Sequence, residues 1–197
     1  CKKMIKAKIQ FEIPEKVRNI SRALSAAGFE NFLVGGCVRD LVMERKPKDW
    51  DITTNAEPEE IIKLFPKTFY ENDYGTVGVV DENTEDQTLH TIEVTPYRLE
   101  SGYSDFRRPD KVTWGKTIED DLVRRDFTMN ALAYNIEKGE LFDILEGETD
   151  IKKKLIRAVG KPEERFSEDA LRMLRAIRFA SELNFAIEHE TQTAIEK

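Results

Sequence analysis

The sequence predicts an α+β protein in two parts: a mixed sheet with flanking helices over residues 1–146, then an all-helical segment over residues 147–197. Three observations lead there. Short β-branched and aromatic runs alternate with amphipathic stretches up to Ile144. Two of those runs are joined by a polar turn, which makes an antiparallel pair. Past Gly147 the apolar period is helical to the end.

Taken in order, Pro14 suits a first helical turn, Val17, Ile20, Leu24 and Ala27 recur at helical spacing, and Gly28 closes a helix over 14–28. Asn31 to Val34 reads as a buried strand that runs through Gly35-Gly36 into a helix over 37–43. Residues 48–53 (KDWDIT) are a second strand, and 56–64 a helix capped by Asn55. Thr76 to Val80 and Thr88 to Thr95 form the hairpin, so the sheet is mixed. Residues 98–111 (RLESGYSDFRRPDK) are longer than most connections and read as a functional or mobile loop. A helix over 117–124 precedes strands at 129–134 and 141–144. In the helical segment Leu171, Leu174, Ile177 and Ala180 make the apolar stripe, behind a Ser167 cap with Glu168 and Asp169 in the first turn.

With 197 residues, 40% hydrophobic and 35% charged, the chain folds without disulfides or a structural metal. Its two cysteines, Cys1 and Cys37, exclude a disulfide framework and a CxxC-type zinc site. No apolar run approaches about 18 residues, which predicts no membrane span and a reducing cytoplasm as the setting. A formal charge of −7 disfavours a general nucleic-acid coat and leaves room for a local basic groove. The start at Cys1, and a helical pattern still running at Lys197, predict a piece of a longer protein.

The chemistry concentrates in a few places. Asp49 and Asp51 are two apart, so on a strand both carboxylates project from one face. Such a pair is either a solvated strand end or a cation site, because like charges at that distance repel. Gly35-Gly36, between strand and helix, is either a tight turn or a cradle where backbone amides approach a polyphosphate. Together they point to Mg²⁺-dependent chemistry on a nucleotide, since Mg²⁺ takes a few carboxylates plus phosphate oxygens. Glu93, on the strand face opposite Ile92 and Val94, is the candidate third carboxylate or an ordinary exposed Glu. His90 and His189 are isolated and are assigned to structure or solvent.

The strings FLVGGCVRDLVMERKPKDWDIT, EVTPYR, DFRRPDKV, IEDDLVRRDFTMNA and IRAVGKPEERFSEDALRMLRAIRF fall in this order over residues 32–179. They resemble the bacterial tRNA nucleotidyltransferase and poly(A) polymerase family, the class II branch of the polymerase β-like nucleotidyltransferases. The resemblance implies a catalytic head over 1–146, a base-reading helical neck over 147–197, and body and tail domains beyond this chain. It makes Asp49, Asp51 and Glu93 the metal-binding catalytic carboxylates. Gly35, Gly36, Arg39 and Asp40 match the signature that holds the triphosphate. Arg124, Arg125, Asp126 and Asn130 match the element that contacts sugar and phosphates; the residues alone read as a polyphosphate site or a helix-end ion cluster.

Asp169 and Arg172, three apart, offer an acceptor beside a donor fork, suited to a base edge or to a mutual salt bridge. The resemblance makes them a protein template that chooses C or A, with Arg175 and Arg178 further along. Nine Lys/Arg against five Asp/Glu between Asp150 and Arg178 make this the basic part of the chain. The loop over 98–111, with Asp105, Arg107, Arg108 and Asp110, resembles the one associated with switching from C to A addition. The implied function is transfer of CMP and AMP from CTP and ATP to the tRNA 3′ end with Mg²⁺, with A-only addition, poly(A) synthesis or a silent RNA-binding module as alternatives.

Overall fold

A computed structural model describes residues 5–70, 75–101 and 111–197. Eight strands form the main sheet: β1 (Ile5–Lys8), β2 (Asn31–Val34), β3 (Asp51–Thr54), β4 (Thr68–Tyr70), β5 (Val77–Val80), β6 (Thr91–Pro96), β9 (Leu132–Asn135) and β10 (Glu140–Asp143). A separate hairpin pairs β7 (Arg98–Ser101) with β8 (Lys111–Trp114). The sheet order is β1-β10-β9-β2-β3-β6-β5-β4, antiparallel except for the parallel β3–β6 pair, which sets Asp51 beside Glu93. The predicted β5–β6 hairpin and the mixed sheet are present.

Alternation along the strands builds two cores. Leu33, Ile52, Val94, Tyr134 and Leu141 face α1 (Glu15–Ala26), α2 (Gly36–Val42) and α3 (Pro58–Leu64). Phe32, Val34, Ala133 and Phe142 point to the other face, against Ile118 and Leu122 of α4 (Ile118–Val123). A sheet covered on both faces explains why all four residues of β2 are buried. Thr117 caps α4 in a reciprocal pairing with Asp120, which starts that helix where the sequence places it.

Several expectations are corrected. Ala27 is exposed beyond the end of α1, whose buried face is Val17, Ile20, Ser21 and Leu24. The cap of α3 is Glu57, which exchanges hydrogen bonds with Glu60, while the Asn55 side chain accepts from the Glu30 backbone instead. Residues 87–89 form a short 3-10 turn rather than strand, and 128–130 another before β9. The ends of the expected 98–111 loop are the paired strands β7 and β8; Asp105, Arg107, Arg108 and Asp110 lie outside the described residues.

After β10 the chain is mainly helical: α5 (Gly147–Lys153), α6 (Pro162–Glu168), α7 (Leu171–Leu183) and α8 (His189–Ile195), with β11 (Leu155–Ile156) and β12 (Ala186–Ile187) paired in parallel. Ser167 lies inside α6; Asp169 closes that helix, and its carboxylate accepts the Leu171 N–H at 2.9 Å. The expected apolar stripe faces outward, with Leu171, Leu174 and Ile177 at 41%, 63% and 52% exposure. The buried face is Arg172, Ala176, Phe179 and Leu183. Leucine content misleads here because the buried face packs the Phe179 ring against Phe127 and the Arg172 guanidinium against Glu168 and the Arg165 carbonyl.

Candidate active site

Between the sheet and α7 lies a cavity of about 510 Å³. Its floor is the turn from β2 into α2. Gly35 has φ +75, and a Cβ there would stand 2.9 Å from Arg125 Nη1 and 3.6 Å from Asp51 Oδ2. A Cβ on Gly36 would meet Arg39 Nη2 at 3.6 Å and Asp49 Oδ1 at 3.9 Å. The missing side chains therefore open the space in which two carboxylates and two guanidinium groups converge. Asp51 is the first residue of β3, whereas Asp49 lies in the turn before it, so the pair shares the cavity without sharing a strand face. Trp50 between them is buried in the core.

The buried Cys37 under this turn senses both carboxylates. Burial first, and the negative charges of Asp51 and Asp49 in addition, push its thiol up to about 12. Its Sγ lies 3.1 Å from the Val34 carbonyl, to which the thiol donates.

Arg125 is aimed at Gly35 by Asp121, a fully buried carboxylate on α4. Asp121 Oδ2 accepts from Arg125 Nε at 3.2 Å and Nη2 at 2.8 Å, and Oδ1 accepts from Arg124 Nε at 3.0 Å. Burial works to raise the Asp121 carboxyl, but Arg124 and Arg125 overcome it and hold the group down at about 2. Arg125 lines the cavity and Arg124 does not.

A relay of buried polar groups connects the sheet with α7. Arg39 donates through Nε and Nη2 to Asp40 Oδ1 and through Nη1 to Asn130 Oδ1 at 2.9 Å. Asn130 Nδ2 donates to Asp126 Oδ1 at 3.2 Å, and Asp126 Oδ2 accepts from Arg175 Nε at 2.7 Å. Asp126, assigned from sequence to sugar and phosphate contact, thus holds α7 with one oxygen and Asn130 with the other. The Phe179 ring lies 5.3 Å from the Arg39 and Arg175 guanidinium carbons and 5.0 Å from that of Arg178. Backbone pairing reinforces the joint: Thr128 N–H donates to Arg157 O and Val159 N–H to Asp126 O, both at 3.0 Å.

Gly35, Gly36, Arg39, Asp40, Asp49, Asp51, Arg125, Asp126, Asn130, Arg175 and Arg178 all line the cavity. Arg124, Glu93, Asp169 and Arg172 do not. Glu93 is half-buried next to Asp51, one strand further from the Gly-Gly turn. Arg172 Nη1 donates to Glu168 Oε2 at 2.7 Å and to Arg165 O at 3.2 Å, with its Nε 4.0 Å from Asp169 Oδ2. Arg45, Lys46, Lys48, Phe179 and Glu182 line the cavity without having been assigned to it from sequence. The signals were present: basic residues directly before Asp49, and Phe179 four residues after Arg175 on one helix face.

Among the described residues no three His, Cys, Asp or Glu side chains cluster closely enough to cage an ion. The cavity presents two hard carboxylates instead, and this donor set fits Mg²⁺, which takes one or two carboxylates together with substrate phosphates.

The fold and cavity define an α+β domain whose polar cavity, lined by carboxylates and guanidinium groups, has α7 as one wall. Residues 31–157 match the Poly A polymerase head domain, and the chain belongs to that family. It is 48% identical over 185 residues to the CCA-adding enzyme of Lactobacillus delbrueckii subsp. bulgaricus, covering 93% of this chain and 45% of that protein. The CCA-adding enzyme of Lactiplantibacillus plantarum is 46% identical over 182 residues. The crystal structure of Bacillus stearothermophilus CCA-adding enzyme in complex with CTP superposes with TM-score 0.80 at 39% identity, covering 91% of this chain and 42% of that one. A CCA-adding enzyme structure with ATP gives TM-score 0.74 at 29% identity, over 92% and 40% of the two chains. The chain thus spans less than half the length of these relatives. Among the described residues no helix is long and apolar enough to cross a membrane.

Proposed function

We propose that this chain forms the catalytic head and base-reading neck of an enzyme that adds CMP and AMP, from CTP and ATP, to the 3′ end of tRNA. The observation that carries this is the convergence of Asp49 and Asp51 on a Gly-Gly turn faced by Arg39 and Arg125. The relatives named CCA-adding enzymes, and the structures of such enzymes with CTP and with ATP, support the choice of substrates.

In the reaction the RNA 3′-hydroxyl attacks the α-phosphate, a new P–O bond forms, and the bond to the β-phosphate breaks to release pyrophosphate. Little covalent work falls to the protein, so positioning and charge decide the rate. Gly35 and Gly36 let the phosphates approach the backbone, and Arg125, locked by Asp121, meets their negative charge without reorganising. Asp49 and Asp51, with Glu93 beside them, would hold Mg²⁺, which would supply positive charge against the reacting phosphate. Asp169 and Arg172 offer an acceptor and a donor for the base edge. To reach a base, Arg172 exchanges its bond to Glu168 for one to the nucleotide.

The test is binding of CTP, ATP, UTP and GTP to this chain with Mg²⁺, with Asp169→Ala alongside. CTP and ATP are expected to bind in preference to the other two, and Asp169→Ala to lose that preference while keeping affinity for the triphosphate. Equal binding of all four by the wild type, or none, overturns the reading. ATP binding alone makes the chain an A-adding or poly(A)-synthesising member, which the name of the matched domain also accommodates.

A further inference from the structure

The cations around the cavity divide by their partners, and Arg178 is held against the Phe179 ring. Arg39, Arg125 and Arg175 are each held by a carboxylate, those of Asp40, Asp121 and Asp126. Lys46 reaches away to Asp86 at 2.9 Å. Arg45 and Lys48 are exposed, and their side chains make no hydrogen bond or ion pair with any described residue.

Both belong to the connection between α2 and β3. The seven residues of α2 carry the chain about 10 Å from the Gly-Gly turn, and Arg45 lies beyond the far end of that helix. The connection is fixed in place: the Arg45 N–H donates to Asp40 O at 2.8 Å, and Pro47, between the two cations, is buried. Two unneutralised cations thus stand on a fixed rim of the cavity, Arg45 beyond the end of α2 that is far from the cradle and Lys48 on the returning chain immediately before Asp49. A phosphoryl transfer between a triphosphate and a polynucleotide needs separate seats for two anions. Cations shared by both would make nucleotide and RNA compete.

We propose that Arg45 and Lys48 bind phosphodiesters of the RNA strand whose 3′-hydroxyl is extended. This rests on the nucleotidyltransferase reading above. Exposed, unpaired cations suit backbone contact, because they lose little hydration and gain affinity by releasing counterions from the strand.

The experiment compares Arg45→Ser/Lys48→Ser with Lys152→Ser/Lys161→Ser, which removes the same charge elsewhere on the surface. The probes are a tRNA acceptor minihelix ending in CC, titrated by fluorescence anisotropy over a range of salt, and CTP and ATP, titrated by calorimetry. The rim variant is expected to bind the minihelix about tenfold more weakly near physiological salt. Its slope of log affinity against log salt should be smaller by about 1.4, which is about 0.7 for each single-strand phosphate that the variant no longer neutralises. Affinity for CTP and ATP should stay within about twofold, since phosphate contacts to the strand carry no nucleotide binding. Unchanged minihelix affinity, an equal loss in the control variant, or a matching fall in nucleotide affinity overturns the proposal. A wild-type chain that binds nucleotides but not the minihelix also overturns it while leaving the nucleotidyltransferase reading intact. Rim-dependent minihelix binding without nucleotide binding does the reverse.

Discussion

The two walls of the cavity are built differently. The head wall, from Gly35 to Asp51, is one short stretch of chain whose shape is local: strand, positive-φ glycine, helix, turn, strand. The α7 wall reaches the cavity through long-range contacts, among them Arg175 to Asp126 and the Phe179 ring to Arg39. A wall made locally keeps its geometry whenever the sheet is folded. A wall made by docking exists only while the joint is closed, so its residues act on substrate and hold the joint at the same time. The Asp126 carboxylate, with both oxygens already engaged, is the plainest case.

The contrast breaks if charge on the head wall proves dispensable. Asp51→Asn should lower single-turnover nucleotide incorporation by about 10²–10³-fold, the usual cost of removing a preorganised charged partner from a reacting centre. A rate within tenfold of wild type would show that the carboxylates are not where the chemistry happens.

A subtler test compares the two glycines. Gly35→Ala forces a Cβ into a backbone region that only glycine tolerates, and against Arg125, so urea unfolding should show a loss of about 1–3 kcal/mol. Gly36→Ala meets only ordinary contacts inside a helix and should be neutral or stabilising by up to about 1 kcal/mol. Equal losses at both positions would mean that the turn is not held by local geometry.

The smallest effect concerns pH. Asp121 is held at about 2 in the fold against an ordinary 3.8, so its contribution to stability is complete above that ordinary value and is lost as pH falls towards 2. Asp121→Asn should flatten the stability profile between those limits, measured by denaturant unfolding at each pH. An unchanged acid limb would show that the Asp121–arginine cluster does not hold the α4 end of the wall.

How much of this was legible in the sequence follows the same division. Strand, Gly-Gly and helix at residues 31–43 were readable because each residue's preference agrees with its neighbours'. The capped α4 and the β5–β6 hairpin were readable for the same reason. Strands β1 and β4, short pieces at opposite edges of the sheet, carry little periodicity and were missed. On α7 the leucines gave the wrong face, because burial there is decided by Phe179 packing under guanidiniums and by Arg172 finding Glu168. Placement of Asp49 in a turn escaped a pattern argument, since two residues apart looks the same on a strand and around a bend. Of the fifteen residues that the motif strings single out, geometry places eleven along the cavity and leaves Glu93, Arg124, Asp169 and Arg172 outside its lining.

Cys37 gives the cradle a built-in reporter. With its thiol pushed up to about 12 and its sulfur wholly enclosed beneath the turn, it carries almost no thiolate at neutral pH and offers no approach to an alkylating reagent. Any adduct mapped to that sulfur marks a molecule in which the Gly-Gly turn has opened. The speed of labelling is therefore a clock for local unfolding of the phosphate seat, and its slowing by a bound nucleotide would measure how firmly the ligand latches it.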